Sequence, residues 1–120
     1  MQGKRAERVG ALMKEEISRL ILRSLKDPRI GFVTVTRVRV SDDLRHARIY
    51  ISSAQGGKSH RGEALIGLKS AAGFLRGEMG RRLRLRYAPE LLFFLDDSLE
   101  EDLHLAELLR QIEPDEMTER

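Results

Sequence analysis

A chain of 120 residues with 41% hydrophobic and 34% charged side chains has room for one soluble domain of modest core, and no apolar run approaches the roughly 20 residues that a membrane span needs. The start, Met1-Gln2-Gly3-Lys4-Arg5-Ala6-Glu7-Arg8, lacks the apolar stretch of a signal peptide, and the absence of cysteine excludes disulfides, thiolate metal sites and cysteine nucleophiles; a reducing cytoplasm is the expected location. The net charge of +3 hides a split, since residues 1–90 hold 20 Lys/Arg against 9 Asp/Glu whereas residues 91–120 hold 2 against 10. Such a basic body suggests an anionic partner, most commonly nucleic acid, although charge alone does not separate this from a merely solvated basic surface.

Residues 5–25 form an amphipathic helical pattern, with Val9, Leu12, Met13, Ile17, Leu20, Ile21 and Leu25 at three- and four-residue steps. The helix should stop near Asp27-Pro28, and Gly31 permits a turn into the next element. Residues 32–40 are rich in β-branched side chains and read as a strand. Its alternation changes phase at Arg37, which a β-bulge would explain. After the turn-forming Ser41-Asp42-Asp43, residues 45–53 alternate again, and the short connection predicts an antiparallel hairpin. A glycine-containing break covers Ala54 to His60. Ala64, Leu65, Leu68, Ala72, Leu75, Met79 and Leu83 then recur at helical spacing, interrupted by Gly62, Gly67, Gly73, Gly77 and Gly80. So many helix-weakening residues predict two helices with a kink near Ala71-Ala72-Gly73. Leu91-Leu92-Phe93-Phe94-Leu95 reads as a buried strand, and residues 99–112 as a last, acidic helix before a tail that frays. The order α-β-β-α-kink-α-β-α predicts an α+β domain over residues 1–112, with a three-stranded sheet covered by helices on one face and a short tail at 113–120.

The feature richest in chemistry is a run of arginines, Arg76, Arg81, Arg82, Arg84 and Arg86, five within eleven residues and preceded by Lys69. Arginine is permanently charged and can grip a phosphate with two parallel hydrogen bonds. Some of these side chains could instead pair with acids of the same molecule. Gly77-Glu78-Met79-Gly80 has the GxxG form that clamps nucleic acid in KH domains, but Met79 fits the apolar stripe and places the string inside a helix. Gly56-Gly57-Lys58-Ser59, with Leu91 to Leu95 and Asp96-Asp97, superficially suits a phosphate-binding loop and a magnesium-holding strand. Position 52 is Ser where the first glycine of that pattern belongs, and three strands with a hairpin are too few for the parallel sheet of such a fold. His46, His60 and His104 lack metal-ligand spacing, and no Ser lies in a nucleophile elbow, so no catalytic residue, metal or cofactor is expected. Six Phe and Tyr residues make recognition through several stacked bases unexpected, leaving backbone and shape contacts.

Leu25-Lys26-Asp27-Pro28-Arg29-Ile30-Gly31 with Ser41-Asp42-Asp43-Leu44, then Ala71-Ala72-Gly73-Phe74-Leu75-Arg76, Leu83-Arg84-Leu85-Arg86-Tyr87-Ala88-Pro89-Glu90-Leu91 and Phe94-Leu95-Asp96-Asp97-Ser98, resemble the ribosome-binding factor A family in the same order over residues 5–110. The resemblance implies a KH-like (type II) fold in which an Ala-x-Gly kink replaces the GxxG loop, here Ala71-Ala72-Gly73. It also implies a non-enzymatic factor that binds the free 30S subunit, contacts 16S rRNA, and assists late subunit maturation and processing of the rRNA 5′ end. The tail after Ile112 is shorter than in members with C-terminal extensions. Joined to the charge pattern, these expectations make Lys4, Arg5, Arg8, Arg45, Lys69, Arg76, Arg81, Arg82, Arg84 and Arg86 the candidate RNA-binding residues, extended along the hairpin by Arg37, Arg39 and Arg48. Gly73→Leu should disturb the angle between the helices, and Arg81→Ala with Arg82→Ala should leave folding intact while weakening binding. No membrane or small-molecule partner is expected, and a monomer is. The competing readings are a small nucleotide hydrolase using Gly57, Lys58, Ser59 and Asp96, and a protein–protein adaptor using the acidic helix.

Overall fold

The computed structural model describes residues 3–53 and 58–96, with the backbone alone for 58–61. The expected C-terminal helix and tail, the Gly56-Gly57 loop, His104 and Asp97 lie outside the described residues. Helix α1 spans Lys4–Arg23, strand β1 Val33–Val40, β2 His46–Ser53, α2 Lys58–Ser70, α3 Ala72–Arg82 and β3 Glu90–Leu95. They form a three-stranded sheet in the order β1-β2-β3, with β1–β2 antiparallel and β2–β3 parallel. A parallel pair needs a crossover, and α2 and α3 supply it.

Helix α1 buries Ala6, Val9, Met13, Ile17, Leu20 and Ile21, the three- and four-residue stripe of the sequence, against the sheet. Leu12 departs from it and is 43% exposed, because its position lies at the margin of the stripe. The helix ends at Arg23, two residues before the expected limit, with the Ser24 N–H donating to the Leu20 carbonyl. Gly10 lets α1 lie close on β1, since a Cβ there would stand 3.1 Å from the Val38 carbonyl oxygen. The bulge falls between Val35 and Arg37, where Thr36 is the extra residue: Val35 pairs with Ile51 and Arg37 with Tyr50. This slip brings Val33, Val35 and Val40 alike onto the core side.

Helix α2 lays Ala64 and Leu68 on the sheet, and α3 directs Leu75 and Met79 toward α1. The two helices break at Ala71, whose N–H is shared between the carbonyls of Gly67 and Leu68, each at 3.1 Å. Gly67 is the glycine this junction requires. A Cβ there would meet Ile30 Cγ1 at 2.7 Å, so Asp27 to Ile30 could not pack on α2. Gly73 differs: a Cβ there would meet nothing within 4 Å, so no close contact at the break depends on its lacking one. The Gly77–Gly80 string lies within α3, as the apolar position of Met79 predicts.

One strand departs from its sequence reading. Leu91 and Phe93 are buried, but Leu92 is 37% and Phe94 41% exposed. β3 is an edge strand, and the described helices cover one face of the sheet, so a continuous apolar run leaves half its side chains off that covered face.

Candidate nucleic-acid interface

The arginine run is laid out by the way α3 ends. The Leu85 N–H donates to the Gly80 carbonyl (3.0 Å) and the Arg84 N–H to the Arg81 carbonyl (3.3 Å). These are the two bonds of a Schellman motif, in which the residue after the cap turns left-handed. Arg84 occupies that position with φ 52°, where glycine is the usual residue. The turn returns Leu85 to the core and throws Arg86, Tyr87 and Ala88 outward before the buried Pro89 and β3.

Tyr87 becomes the centre of a basic cleft. The Arg45 guanidinium lies 4.3 Å from its ring centroid and that of Arg86 5.5 Å, both within cation–π range. Arg45 is held by the hairpin turn. Its N–H donates to Asp43 Oδ1 (3.0 Å), its carbonyl accepts from the Glu90 N–H (2.7 Å), and the neighbouring Leu44 sits at φ 62°. Arg5 of α1 reaches the same hollow of about 280 Å³, together with Leu44, Leu85 and Arg86. The Gly3 N–H donates to Asp42 Oδ1 (2.8 Å) and ties the start of α1 to that turn. Arg76 enters from α3, donating through Nε and Nη2 to the Ala88 carbonyl at 3.4 and 3.3 Å, and lines an adjoining hollow of about 290 Å³ with Arg45, Tyr87 and Glu90. Among the described residues, no carboxylate lies within ion-pair distance of Arg5, Arg45, Arg76 or Arg86. Of the two acids on the walls, Glu90 lies 3.8 Å from His46, and Asp43 is turned into the hairpin. The Ser41 hydroxyl and the Arg45 N–H donate to it and lower its pKa.

Arg81 and Arg82 are placed differently. Both pair with Glu78, whose side chain is 10% exposed, and Arg82 Nη1 also lies 2.9 Å from Glu16 Oε2 of α1. Arg82 thereby ties α3 to α1, Arg81 stays within α3, and both stand outside the cleft lining. Lys4 and Arg8 are exposed on the first turns of α1, and Lys69 is exposed at the end of α2. Thus the structure brings Arg5, Arg45, Arg76 and Arg86 together and sets Lys69, Arg81 and Arg82 apart from them. Sequence reasoning gives Tyr87 no part in the site, and its only signal was the position between Arg86 and Pro89. Of the residues required by a nucleotide hydrolase, Asp96 accepts from the Thr36 hydroxyl (2.5 Å) and lies 3.9 Å from Arg37, with a side chain only 8% exposed, which is a structural placement.

The sequence model of the family described as ribosome-binding factor A matches residues 5–109. The ribosome-binding factor A of Halothermothrix orenii is 47% identical over 120 residues, covering 100% of this chain and 98% of that protein. This chain belongs to the ribosome-binding factor A family. The crystal structure of the Thermus thermophilus ribosome-binding factor A is similar with a TM-score of 0.64 at 29% identity, covering 75% of this chain and 94% of that one. A Thermus thermophilus ribosome-binding factor A fitted into the cryo-EM map of a 30S–RbfA complex gives a TM-score of 0.62 at 28% identity, covering 77% and 96%. The family's α+β, KH-like architecture is the one described above. Among the described residues, no helix is long and apolar enough to cross a membrane.

Proposed function

We propose that this protein is a ribosome assembly factor that binds the free 30S subunit through 16S rRNA and assists late subunit maturation and processing of the rRNA 5′ end, acting in the cytoplasm and without catalysis. The observation that carries the reading is the Tyr87 cleft. Four arginines from α1, the hairpin turn, α3 and the α3–β3 loop converge on one concave surface and keep their charge available for phosphate. Membership of the family, and the relative fitted into a 30S complex, support the choice of ribosomal RNA as the anion. Lys4 and Arg8 extend the cationic edge along α1, while the open space around Gly73 leaves the backbone at the helix break accessible to a strand.

Phosphate contacts of this kind release counterions, so log K should fall linearly with log salt by about 0.7 to 0.9 per contact. Cosedimentation with purified 30S subunits at several salt concentrations tests this. Arg45→Ala with Arg86→Ala should reduce affinity roughly thirty- to 150-fold, given about 1–1.5 kcal/mol per charge-assisted contact, and flatten the salt slope by about 1.5. Unchanged affinity and slope in this variant would move the interface elsewhere.

A further inference from the structure

The face of the sheet turned away from the helices carries a second arrangement. Two cross-strand rows run over it. In one, Arg39 pairs with Arg48 and Arg48 with Leu92; in the other, Arg37 pairs with Tyr50 and Tyr50 with Phe94. The Arg37 guanidinium lies 4.1 Å from the Tyr50 ring centroid, and the Tyr50 and Phe94 rings stack at 5.5 Å with 28° between their planes. Phe94, on the edge strand, ends this stack and is 41% exposed. Arg39 and Arg48 are like charges directly opposite one another, an arrangement that works against the hairpin. They line an open hollow of about 350 Å³ with Ser41 and His46, and among the described residues no carboxylate pairs with either. A surface needing only solubility would alternate its signs across the strands.

We propose that this open sheet face is a second RNA-binding surface, which takes a single-stranded segment with phosphate at Arg39 and Arg48 and a base stacked on Phe94. The two rows are about 7 Å apart along the strands, a span that a base and its own phosphate can bridge. An aromatic plane backed by a second ring and a guanidinium suits a planar base of any sequence. The alternative anion, the chain's own acidic residues 97–120, contains no aromatic side chain and offers mainly leucine, for which this face has one aliphatic partner, Leu92. The surface is separate from the Tyr87 cleft and extends the proposed function to a second strand of RNA.

The test uses the full-length ¹⁵N-labelled chain titrated with an eight-nucleotide oligouridylate, in the background of Arg45→Ala with Arg86→Ala. Amide shifts should appear at Arg48, Tyr50, Leu92 and Phe94 while core amides such as Ile49 and Leu68 stay in place. Adding Phe94→Leu should weaken binding about tenfold, and Phe94→Tyr should preserve it, since loss of one base–aromatic stack has an effect of this order. Unshifted β2 and β3 amides, or equal binding by the Leu and Tyr variants, would overturn the proposal and leave 30S binding through the cleft intact. Nuclear Overhauser contacts in the free protein between methyls of residues 99–112 and the Phe94 or Tyr50 ring would also overturn it, assigning the face to the chain's own acidic segment.

Discussion

Two groups of arginines lie within one stretch of the chain and do different work. Arg81 and Arg82, at the last turn of α3, are both held by Glu78, and Arg82 also by Glu16, which joins α3 to α1. Arg76 and Arg86, only a few residues away, converge with Arg5 and Arg45 on Tyr87 and meet no carboxylate among the described residues. Both groups carry the same kind of charge, and the partner geometry separates them. An arginine answered by a carboxylate has its field largely cancelled where a phosphate would approach, whereas one laid over an aromatic ring keeps its donors outward.

The largest effect that would break this comparison is an exchange of phenotypes. Arg81→Ala with Arg82→Ala removes both partners of the nearly buried Glu78 carboxylate. It should lower stability by about 2 kcal/mol, because a buried charged acceptor is left uncompensated. The variant still folds, as expected from sequence, but at a cost in stability that the ion pairs with Glu78 and Glu16 introduce. Thermal unfolding should show a fall of several degrees, while 30S affinity measured well below the transition stays within about twofold. The Arg45 and Arg86 variant should show the opposite, a near-unchanged transition and lost affinity. If Arg81 and Arg82 prove to carry the affinity, the division drawn from their partners is wrong.

Much of this architecture was legible in the sequence for a physical reason: period and phase survive without tertiary information. The α1 stripe, the phase change that marks the bulge near Arg37, and the helix break near Ala71 are all local patterns, and each appears in the structure. What period does not carry is which side of an element meets another. The run Leu91–Leu95 reads as buried, yet Leu92 and Phe94 are exposed, because they lie on the face away from the described helices. The candidate site suffered the same loss. Arg5 and Arg45 lie far from Arg76 and Arg86 in sequence and meet them only through the turn at Arg84 and the hairpin. Glu16, which holds Arg82, is 66 residues away from it. Long-range pairing of this kind leaves no spacing to read.

Arg84 stands between the two groups and sharpens the comparison at a smaller scale. It holds a left-handed conformation, φ 52°, at the residue after the α3 cap, which costs a side-chain-bearing residue about 1 kcal/mol relative to glycine. Arg84→Gly should therefore raise stability by about 0.5–1 kcal/mol, visible as a higher midpoint in urea with an unchanged slope. The same variant should lose affinity for 30S subunits if the outward Arg84 side chain contributes a phosphate contact. A gain in stability with unaltered binding would place Arg84 with neither group, and a loss of stability would refute the reading of its backbone.

The smallest effect concerns a third arginine of the carboxylate-held kind. Arg29 donates through Nε and Nη2 to Asp27 at 3.0 and 2.5 Å, and its own N–H donates to Asp27 Oδ1 at 2.9 Å. The side-chain bonds from Arg29, then its backbone bond, hold the Asp27 carboxyl at a pKa of about 2, below the ordinary 3.8. A carboxyl whose folded pKa lies below its unfolded one binds fewer protons in the native state, so its contribution is present above about pH 4 and lost as pH falls toward 2. The partners are solvent-accessible, and screening keeps the effect slight. Comparing thermal unfolding of the wild type with Asp27→Asn, the stability gap should be widest above pH 4 and close as the solution is acidified toward 2. The amide oxygen of that variant can still accept the Arg29 N–H, so the part of the gap that closes reports the charge. A gap independent of pH over this range would show that Arg29 is held by hydrogen bonding alone, and the contrast between carboxylate-held and ring-held arginines would then rest on Glu78 and Glu16 rather than on a rule that extends across the fold.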